Sequence, residues 1–231
     1  MSKLYSYVLR YDDGAAPNPF WDVCTLTICK PAIRRTAAID DWVIGTGSAN
    51  AICNDGKRHD LTGHLVYAMK ITKTLSMEEY DQYCLQELPA KLPDIKHIDW
   101  RRRMGDCIYD YSTGGTQRIR PSVHDEGNRE RDLGGMRALL STHFYYLGEE
   151  AVPLPTYLSP LIKKSQGHRK IEDQALIRRF EQWVAPFPPN TVIADPQLRH
   201  AFDGPINTTR LAACGTCHLE EDSKEDEERY C

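Results

Sequence analysis

Several stretches of the chain show the apolar pattern of β-strands. Residues 5–11, 42–45 and 65–71 are rich in Tyr, Val, Ile or Trp, and each is bounded by polar or turn-forming residues. Residues 23–28 are β-branched and predict a short strand, and the aromatic residues within 137–147 favour another. These runs predict a protein built around a β-sheet.

Two segments have the period of an amphipathic helix. Ser76 and Glu79 have capping-box spacing, which predicts a helix over residues 77–88 that Pro89 ends. Apolar residues at 176, 177, 180, 183 and 184 predict a helix within residues 171–184.

The remaining segments predict shorter elements and loops. We expect one helical turn within residues 31–38 and a short strand within 107–111, and we expect surface loops at 49–62 and 112–135. Strands that come early, together with two clear helices, predict an α+β fold. Its sheet is expected to be small and mixed or antiparallel, or a partly closed barrel, with flanking helices.

Composition places the chain among ordinary globular proteins. Its 231 residues suit one domain, and 41% hydrophobic with 27% charged residues can support a core. We expect one domain over residues 1–205 and a flexible, acidic, cysteine-containing tail over 206–231. No apolar run approaches the roughly 20 residues that span a bilayer, and the amino terminus lacks a secretory pattern. A cytoplasmic protein with reduced thiols and no membrane partner is therefore expected.

Charge is unevenly distributed along the chain. Leaving out residues 219–231 removes seven acidic and two basic residues and turns the formal net charge of −4 into +1. Arginines concentrate in the middle, between residues 101 and 131. A local basic face is compatible with phosphate contacts, and arginines on a solvated loop are an equal alternative.

The long segment between the first two clear strands is the strongest pointer to a functional site. It is dense in Gly, Pro, Asn and Cys, and a loop of that length is usually functional or disordered. Phe20, Trp21 and Leu26 make it too apolar for disorder. We expect this loop and the strand that follows it to form one wall of a recognition site.

The same region resembles a known family. YSYVLRYDDGAAPNPF, CTLTICKPAIRR and DDWVIGTGS, in that order, are similar to the nucleotide modification associated domains of the second type. LVYAMKI, GDCIYDY and ALLSTHFYYLGEEAVPLP extend the resemblance over residues 4–155. The resemblance implies action alongside base-modified DNA in bacteria and their phages, and it carries over no catalytic residue.

A weaker likeness of layout points to PUA-like barrels, which include the EVE and ASCH domains that bind modified bases. Those folds have a Gly-Asp turn before a strand, where this chain has Asp40-Asp41. LVYAMKI would be the return strand.

A pocket that reads a base needs stacking surfaces, hydrogen-bonding groups and cations for flanking phosphates. The candidate ligand-binding residues are Arg10, Asn18, Phe20, Lys30, Arg34, Trp42, Thr46 and Ser48. For each aromatic residue a core position is the stronger alternative. Asn18 lies between two prolines that aim its side chain, and its replacement by alanine is expected to weaken ligand binding with little change in melting temperature.

Catalysis is a second possibility. A carboxylate pair with a histidine would suit metal-assisted phosphodiester hydrolysis or a glycosylase-type step. The weak catalytic candidates are Asp12, His124 and Asp132. Turn chemistry explains Asp12 equally well, and a surface loop explains His124.

Cysteines supply a candidate metal site. Cys214, Cys217 and His218 form a C-x-x-C-H sequence with Cys231 at the terminus, which offers half of a zinc knuckle. The same spacing marks c-type haem attachment, which the absence of a secretory pattern disfavours. Cys24 and Cys29 could complete a zinc site through the fold, and free thiols are the alternative.

Taken together, these features favour recognition of a modified nucleotide or base, with modified DNA as the expected partner. One alternative is an enzyme that acts on such a nucleotide, as a hydrolase, nuclease or glycosylase. Another is a protein of phage–host conflict that uses the acidic tail as a DNA mimic.

Overall fold

The computed structural model describes residues 1–113, 117–165 and 167–199. Strands and helices in chain order are β1 (Leu4–Leu9), β2 (Cys24–Leu26), α1 (Pro31–Thr36), β3 (Trp42–Gly47), β4 (Ala51–Ile52), β5 (Arg58–His59), β6 (His64–Lys70), β7 (Lys73–Ser76), α2 (Met77–Gln86), α3 (Trp100–Arg103), β8 (Tyr109–Asp110), β9 (Arg118–Ile119), α4 (Arg129–Gly134), β10 (Arg137–Ser141), β11 (Phe144–Tyr146), β12 (Val152–Pro153), β13 (His168–Ile171), α5 (Gln174–Val184) and β14 (Thr191–Val192). This mixture confirms the α+β prediction.

The central sheet has seven strands in the order β13-β1-β3-β6-β11-β14, with β12 also paired to β6. β1 and β3 are parallel, whereas β3 and β6 are antiparallel. The sheet is therefore mixed, as expected. In the described part of the chain it is open, with β13 and β14 at its edges, so the alternative of a partly closed, PUA-like barrel is wrong.

The parallel pairing of β1 and β3 explains the long loop between them. Two adjacent parallel strands need a crossover connection, because the chain must return to the end of the sheet where the first strand began. Residues 10–41 make that crossover and contain β2 and α1. As a result, the carboxyl ends of β1 and β3 lie side by side.

A second, three-stranded sheet has the order β2-β10-β7 and is antiparallel. Residues 137–147, expected as one strand, therefore divide into β10 in this sheet and β11 in the central sheet. The break is at Ser141, whose hydroxyl donates to the carbonyl oxygens of Lys70 at 2.5 Å and His143 at 2.8 Å. The aromatic pattern predicted the extended backbone but not the change of sheet.

The two faces of the central sheet bury different residues, because successive side chains of a strand alternate in direction. Trp42 faces α5, where its indole N–H donates to Glu181 at 2.9 Å and its ring meets Phe180 edge-on. Tyr7 and Phe20 belong to the core on the other face, with the crossover. The crossover and Trp42 are thus on opposite sides of the sheet.

Both predicted helices form, with α2 starting where its cap predicts. The Glu79 N–H donates to the Ser76 hydroxyl at 3.1 Å, and the Glu79 carboxylate accepts from the Ser76 N–H at 2.7 Å. α5 starts after residue 171, because Asp173 caps it. Within the described residues, no helix combines the length and apolarity needed to cross a membrane.

Residues 112–135 differ most from expectation. The predicted surface loop contains β9, a 3-10 helix at Glu126–Asn128 and α4. His124, Asn128 and Asp132 are all buried there. Polar composition did not predict this burial because the polar side chains find partners far away in the sequence.

Gly45 lets the Tyr67 ring lie directly on β3, and we expect its replacement by alanine to destabilise the fold. An added Cβ would lie 2.5 Å from Cε1 of Tyr67. Overpacking of this kind costs about 1–3 kcal/mol, which urea unfolding would measure. Gly134→Ala is the control, since its Cβ would approach no atom closer than 3.7 Å. A Gly45→Ala protein as stable as this control would contradict the packing described here.

Candidate functional site

A pocket of about 580 Å³ lies beyond the carboxyl ends of β1 and β3. Its lining comes from both strand ends, the end of the crossover and the segment before β13. The lining residues are Val8, Arg10, Lys30, Gly47, Ser48, Ala49, Asn50, Thr62, Lys163, Lys164, Ser165 and Gly167. The carboxyl edge of parallel strands is where α/β sheets bind ligands, so the topology itself marks this position.

The end of β3 is shaped by close backbone approach. The register with β6 shifts between Gly45 and Thr46, which bends the strand there. A Cβ on Gly47 would lie 2.6 Å from the carbonyl oxygen of Leu61, so a side chain at this position would collide with the neighbouring segment. The Leu61 N–H donates to the Ser48 carbonyl at 2.9 Å and fixes this wall of the pocket.

The pocket is strongly basic. Arg10, Lys30, Lys163 and Lys164 contribute to its wall, and among the described residues that line it none is acidic. The Lys30 ammonium lies 4.8 Å from the centre of the Tyr7 ring. Basic groups around a concave site concentrate positive potential. Such a site suits an anion.

A second concavity of about 800 Å³ runs along α2 and is more open. Glu78, Glu79 and Glu87 line it. Carboxylates at that density repel phosphate groups. The smaller basic pocket is therefore the better candidate for a nucleotide, although the α2 groove is larger.

Three predicted ligand-binding residues, Arg10, Lys30 and Ser48, line the basic pocket. Thr46 lies just behind it, buried, with its hydroxyl donating to the Tyr7 carbonyl at 3.3 Å. Sequence reasoning missed Lys163 and Lys164. Their adjacent charges were a visible signal, but the expected site was confined to the amino-terminal part of the chain.

The two predicted stacking residues are core residues of opposite sheet faces. Phe20 is 4% exposed and packs edge-on against Trp100 at a centroid distance of 5.2 Å. Trp42 is 1% exposed and stacks on Tyr145. The structure does not bring these two rings together, and neither lines the basic pocket.

Asn18 is fully buried in a polar network that holds the crossover. Its amide donates to the Met104 carbonyl at 2.8 Å, and its side-chain oxygen accepts from the Lys91 ammonium at 2.7 Å. Lys91 also donates to the carbonyl oxygens of Asn18 and Val23 and to the Thr25 hydroxyl. Burial lowers the pKa of Lys91. The position of Asn18 is that of a structural residue.

Arg34 is also buried, and its guanidinium donates to backbone carbonyl oxygens. Nε reaches Arg137 at 2.8 Å, and the two terminal nitrogens reach Asp132 at 2.8 Å and Cys29 at 3.2 Å. Gly135 lacks a side chain where this guanidinium packs, and an added Cβ would lie 2.6 Å from one of its nitrogens. Arg34 thus ties α1 to α4 and β10 and does not line the pocket.

Two catalytic candidates, His124 and Asp132, meet in the interior, and Cys29 joins them. Nδ1 of His124 lies 2.6 Å from Oδ2 of Asp132, and Nε2 lies 3.6 Å from Sγ of Cys29. The Tyr109 hydroxyl donates to Oδ2 of Asp132 at 2.9 Å, and the Cys29 N–H donates to Oδ1 at 3.0 Å. We call Cys29, His124 and Asp132 the thiol–imidazole–carboxylate cluster.

The protonation of this cluster follows from its contacts. Burial lowers the pKa of His124, but the negative charges of Asp132 and Cys29 outweigh burial and raise that pKa to about 10. Burial raises the pKa of Asp132, but the charge and hydrogen bond of His124 more than offset this and leave the pKa below its ordinary value. Near neutral pH the histidine is an imidazolium beside a carboxylate.

Asp12, the third catalytic candidate, lies elsewhere. It accepts a hydrogen bond from the Tyr146 hydroxyl at 2.5 Å and one from the Gln197 N–H at 3.4 Å. Burial is the main reason that its pKa rises to about 7. The three candidates therefore do not form one constellation.

Cys29 was considered in the sequence only as a zinc ligand, and no sequence signal pairs it with His124. The other predicted metal ligands, Cys214, Cys217, His218 and Cys231, lie outside the described residues. The thiol–imidazole–carboxylate cluster holds donor types that metals accept, but no cofactor is established for it.

Comparison with known proteins gives one match. A family model described as nucleotide modification associated domain 2 matches residues 1–203. No curated protein and no solved structure matches the chain. The match covers every described residue and includes both the basic pocket and the thiol–imidazole–carboxylate cluster.

We expect Asn18→Ala to destabilise the protein, in place of the nearly unchanged melting temperature that the sequence predicted. The change removes one acceptor from the buried Lys91 ammonium and one donor from the Met104 carbonyl. Unsatisfied buried groups of this kind cost about 1–3 kcal/mol each. Urea unfolding would measure the loss, with the exposed Asn50→Ala as control. A melting temperature equal to that of the control would show that the network is dispensable.

The raised pKa of His124 predicts how stability depends on pH. A group whose pKa is raised on folding stabilises the native state fully below its unfolded pKa and loses that effect as pH rises through the folded value. The stability advantage of the wild type over His124→Gln should therefore decline between about pH 6.5 and about pH 10. Urea unfolding of both proteins across this range tests it, and an advantage that grows with pH would refute the pairing.

Proposed function

We propose, since this chain belongs to the nucleotide modification associated domain 2 family, that it binds a modified nucleotide, free or within DNA, in the basic pocket beyond β1 and β3. The observation that supports the proposal is the set of four cationic side chains, Arg10, Lys30, Lys163 and Lys164, around one pocket. The family description supports a role related to nucleotide modification. Recognition of the modified nucleotide itself is our proposal.

The dimensions and chemistry of the pocket suit this ligand. Its volume of about 580 Å³ is within the usual range for small-molecule sites. Lys163 and Lys164 are on the outer wall and would contact phosphate oxygens, which lysine binds as a point charge. Ser48, Asn50 and Thr62 supply hydroxyl and amide groups that would hydrogen-bond a sugar or a base edge.

The pocket faces outward, so the ligand need not be a free nucleotide. Lys164, Ser165, Ala49 and Asn50 at its rim are exposed. Phosphates on either side of a base extruded from DNA would lie along this rim, while the base entered the pocket. The context of base-modified bacterial or phage DNA, which the family resemblance implied, belongs to this proposal. The proposed DNA mimicry of the acidic tail stays a prediction, because residues 206–231 are outside the described part.

Removing both rim lysines should weaken binding of modified oligonucleotides by about ten- to hundredfold, since a hydrogen bond to a charged group contributes about 1.5–3 kcal/mol. The Lys163→Ala/Lys164→Ala protein should also lose about one unit of salt slope for each phosphate contact removed. Fluorescence anisotropy with a single-stranded oligonucleotide that carries hydroxymethylated cytosine, and with its unmodified twin, measures both effects at several salt concentrations.

The matched control is Lys73→Ala/Lys96→Ala, which removes the same charge from exposed lysines outside the pocket lining. It should bind almost as the wild type does. Equal weakening by the two double variants would mean that binding follows overall charge and would overturn the pocket assignment. Equal affinity of the wild type for modified and unmodified oligonucleotides would overturn recognition of the modification.

A further inference from the structure

We propose that the thiol–imidazole–carboxylate cluster is a catalytic relay in which the sulfur of Cys29 attacks an acyl carbon. Three side chains from distant parts of the chain stand in one row. Sγ of Cys29 lies 3.6 Å from Nε2 of His124, and Nδ1 of the same ring lies 2.6 Å from Oδ2 of Asp132. Nucleophile, base and orienting carboxylate in this order are what acyl transfer through a thiol requires.

The order of contacts argues for a relay and against a shared metal ion. The sulfur and the carboxylate approach opposite nitrogens of the imidazole, so the ring lies between them. An ion bound to Nε2 could take the Cys29 thiolate as a second ligand, but Asp132 would be left as the hydrogen-bond partner of Nδ1. Two protein ligands fall short of the three or four that zinc sites use.

The relay is held rigidly at both ends. Asp132 accepts from the Tyr109 hydroxyl at 2.9 Å and from the Cys29 N–H at 3.0 Å, in addition to His124. The Arg34 guanidinium bonds the carbonyl oxygens of Asp132 and Cys29 at 2.8 Å and 3.2 Å. One buried cation therefore sets the separation of nucleophile and carboxylate. Preorganisation of this kind keeps reacting groups in productive geometry.

The backbone at Cys29 has an unusual conformation. Cys29 and Lys30 have φ values of 57° and 45°, in the left-handed region that non-glycine residues occupy at a cost of about 1–2 kcal/mol each. They form the turn between β2 and α1. A strained turn between a strand and a helix is also how other folds present a catalytic nucleophile. Lys30, which directly follows Cys29, lines the basic pocket, so the pocket adjoins the relay.

The reaction needs only water as a co-reactant. The thiolate forms a bond to the carbonyl carbon of an amide or ester, and the carbonyl electron pair moves to oxygen. Collapse of the adduct breaks the bond to the leaving amine or alcohol, which takes the proton from Nε2 of His124. Water then attacks the thioester and gives its proton to Nε2. The second collapse releases the carboxylic acid and restores the thiolate and the imidazolium.

An acyl carbon fits this site better than a phosphorus atom. Phosphoryl transfer depends on cations around the equatorial oxygens of the moving group. The nearby cation, Arg34, donates to backbone carbonyls, and the basic side chains surround the adjoining pocket instead. That the acyl group is carried by a nucleotide rests on the proposed binding in the pocket. The nucleophilic role of Cys29 does not.

Thiol labelling of the full-length protein tests the nucleophile without knowledge of the substrate. The probes are p-nitrophenyl acetate, which acylates, and iodoacetamide, which alkylates, with peptide mass spectrometry to locate the product. Cys29 is 2% exposed and Cys53 is partly exposed, so exposure alone predicts faster labelling of Cys53. We expect Cys29 to react faster at neutral pH. His124→Asn should slow Cys29 by about a hundredfold and leave Cys53 unchanged.

The pH profile provides a test that needs no variant. Burial and the charge of Asp55 raise the pKa of Cys53, so its labelling should increase steeply only in alkaline solution. Labelling of Cys29 should instead be nearly constant around neutral pH, because its thiolate pairs with the imidazolium. Asp132→Asn is a second variant, and circular dichroism would check that each variant folds.

Several results would overturn the relay. Cys29 could label more slowly than Cys53 in the folded protein, or only in urea. Purified wild-type protein could hold one zinc ion per chain that Cys29→Ser loses, which would make the cluster a metal site. Nucleotide binding is scored separately: Cys29→Ser should keep the affinity of the wild type, and Lys163→Ala/Lys164→Ala should keep Cys29 reactivity. Failure of one proposal is therefore distinguishable from failure of the other.

Discussion

The buried guanidinium of Arg34 is the interaction on which the interior around the thiol–imidazole–carboxylate cluster depends. A charge removed from water must find hydrogen-bond partners, and Arg34 finds the carbonyl oxygens of Cys29, Asp132 and Arg137. These three residues belong to the crossover, α4 and β10. Segments distant in sequence are thus fixed relative to one another by a single side chain, and Gly135 leaves the room that it needs.

Topology then places this interior next to the pocket. Parallel pairing of β1 and β3 forces a long crossover, and the crossover carries both Cys29, in the cluster, and Lys30, in the pocket wall. Binding and reactive groups are therefore neighbours in the chain although they face different surroundings. A catalytic group beside a binding pocket is the arrangement that couples recognition of a nucleotide to chemistry on it.

The sequence predicted what local rules decide. Ser76 and Glu79 form the expected capping box because all of its atoms come from one turn of chain. The partnership of His124 with Cys29 was not predictable in this way, because 95 residues separate them. Asn18 shows the same limit: prolines on either side suggested a presented side chain, but Lys91, 73 residues away, holds it in the core. Arg10, Lys30 and Ser48 reached the pocket because strand ends can be read locally.

Pairing of β13 with β1 has a consequence for the order in which the molecule is completed. β1 and β3 leave the ribosome early, but Lys163 and Lys164 come just before β13, which joins the sheet late in synthesis. A nascent or truncated chain that ends before residue 168 has Arg10 and Lys30 in place without the strand that draws the remaining two cations to the rim. The anion site is thus the last part of the sheet to mature, and an incomplete chain carries only half of its charge.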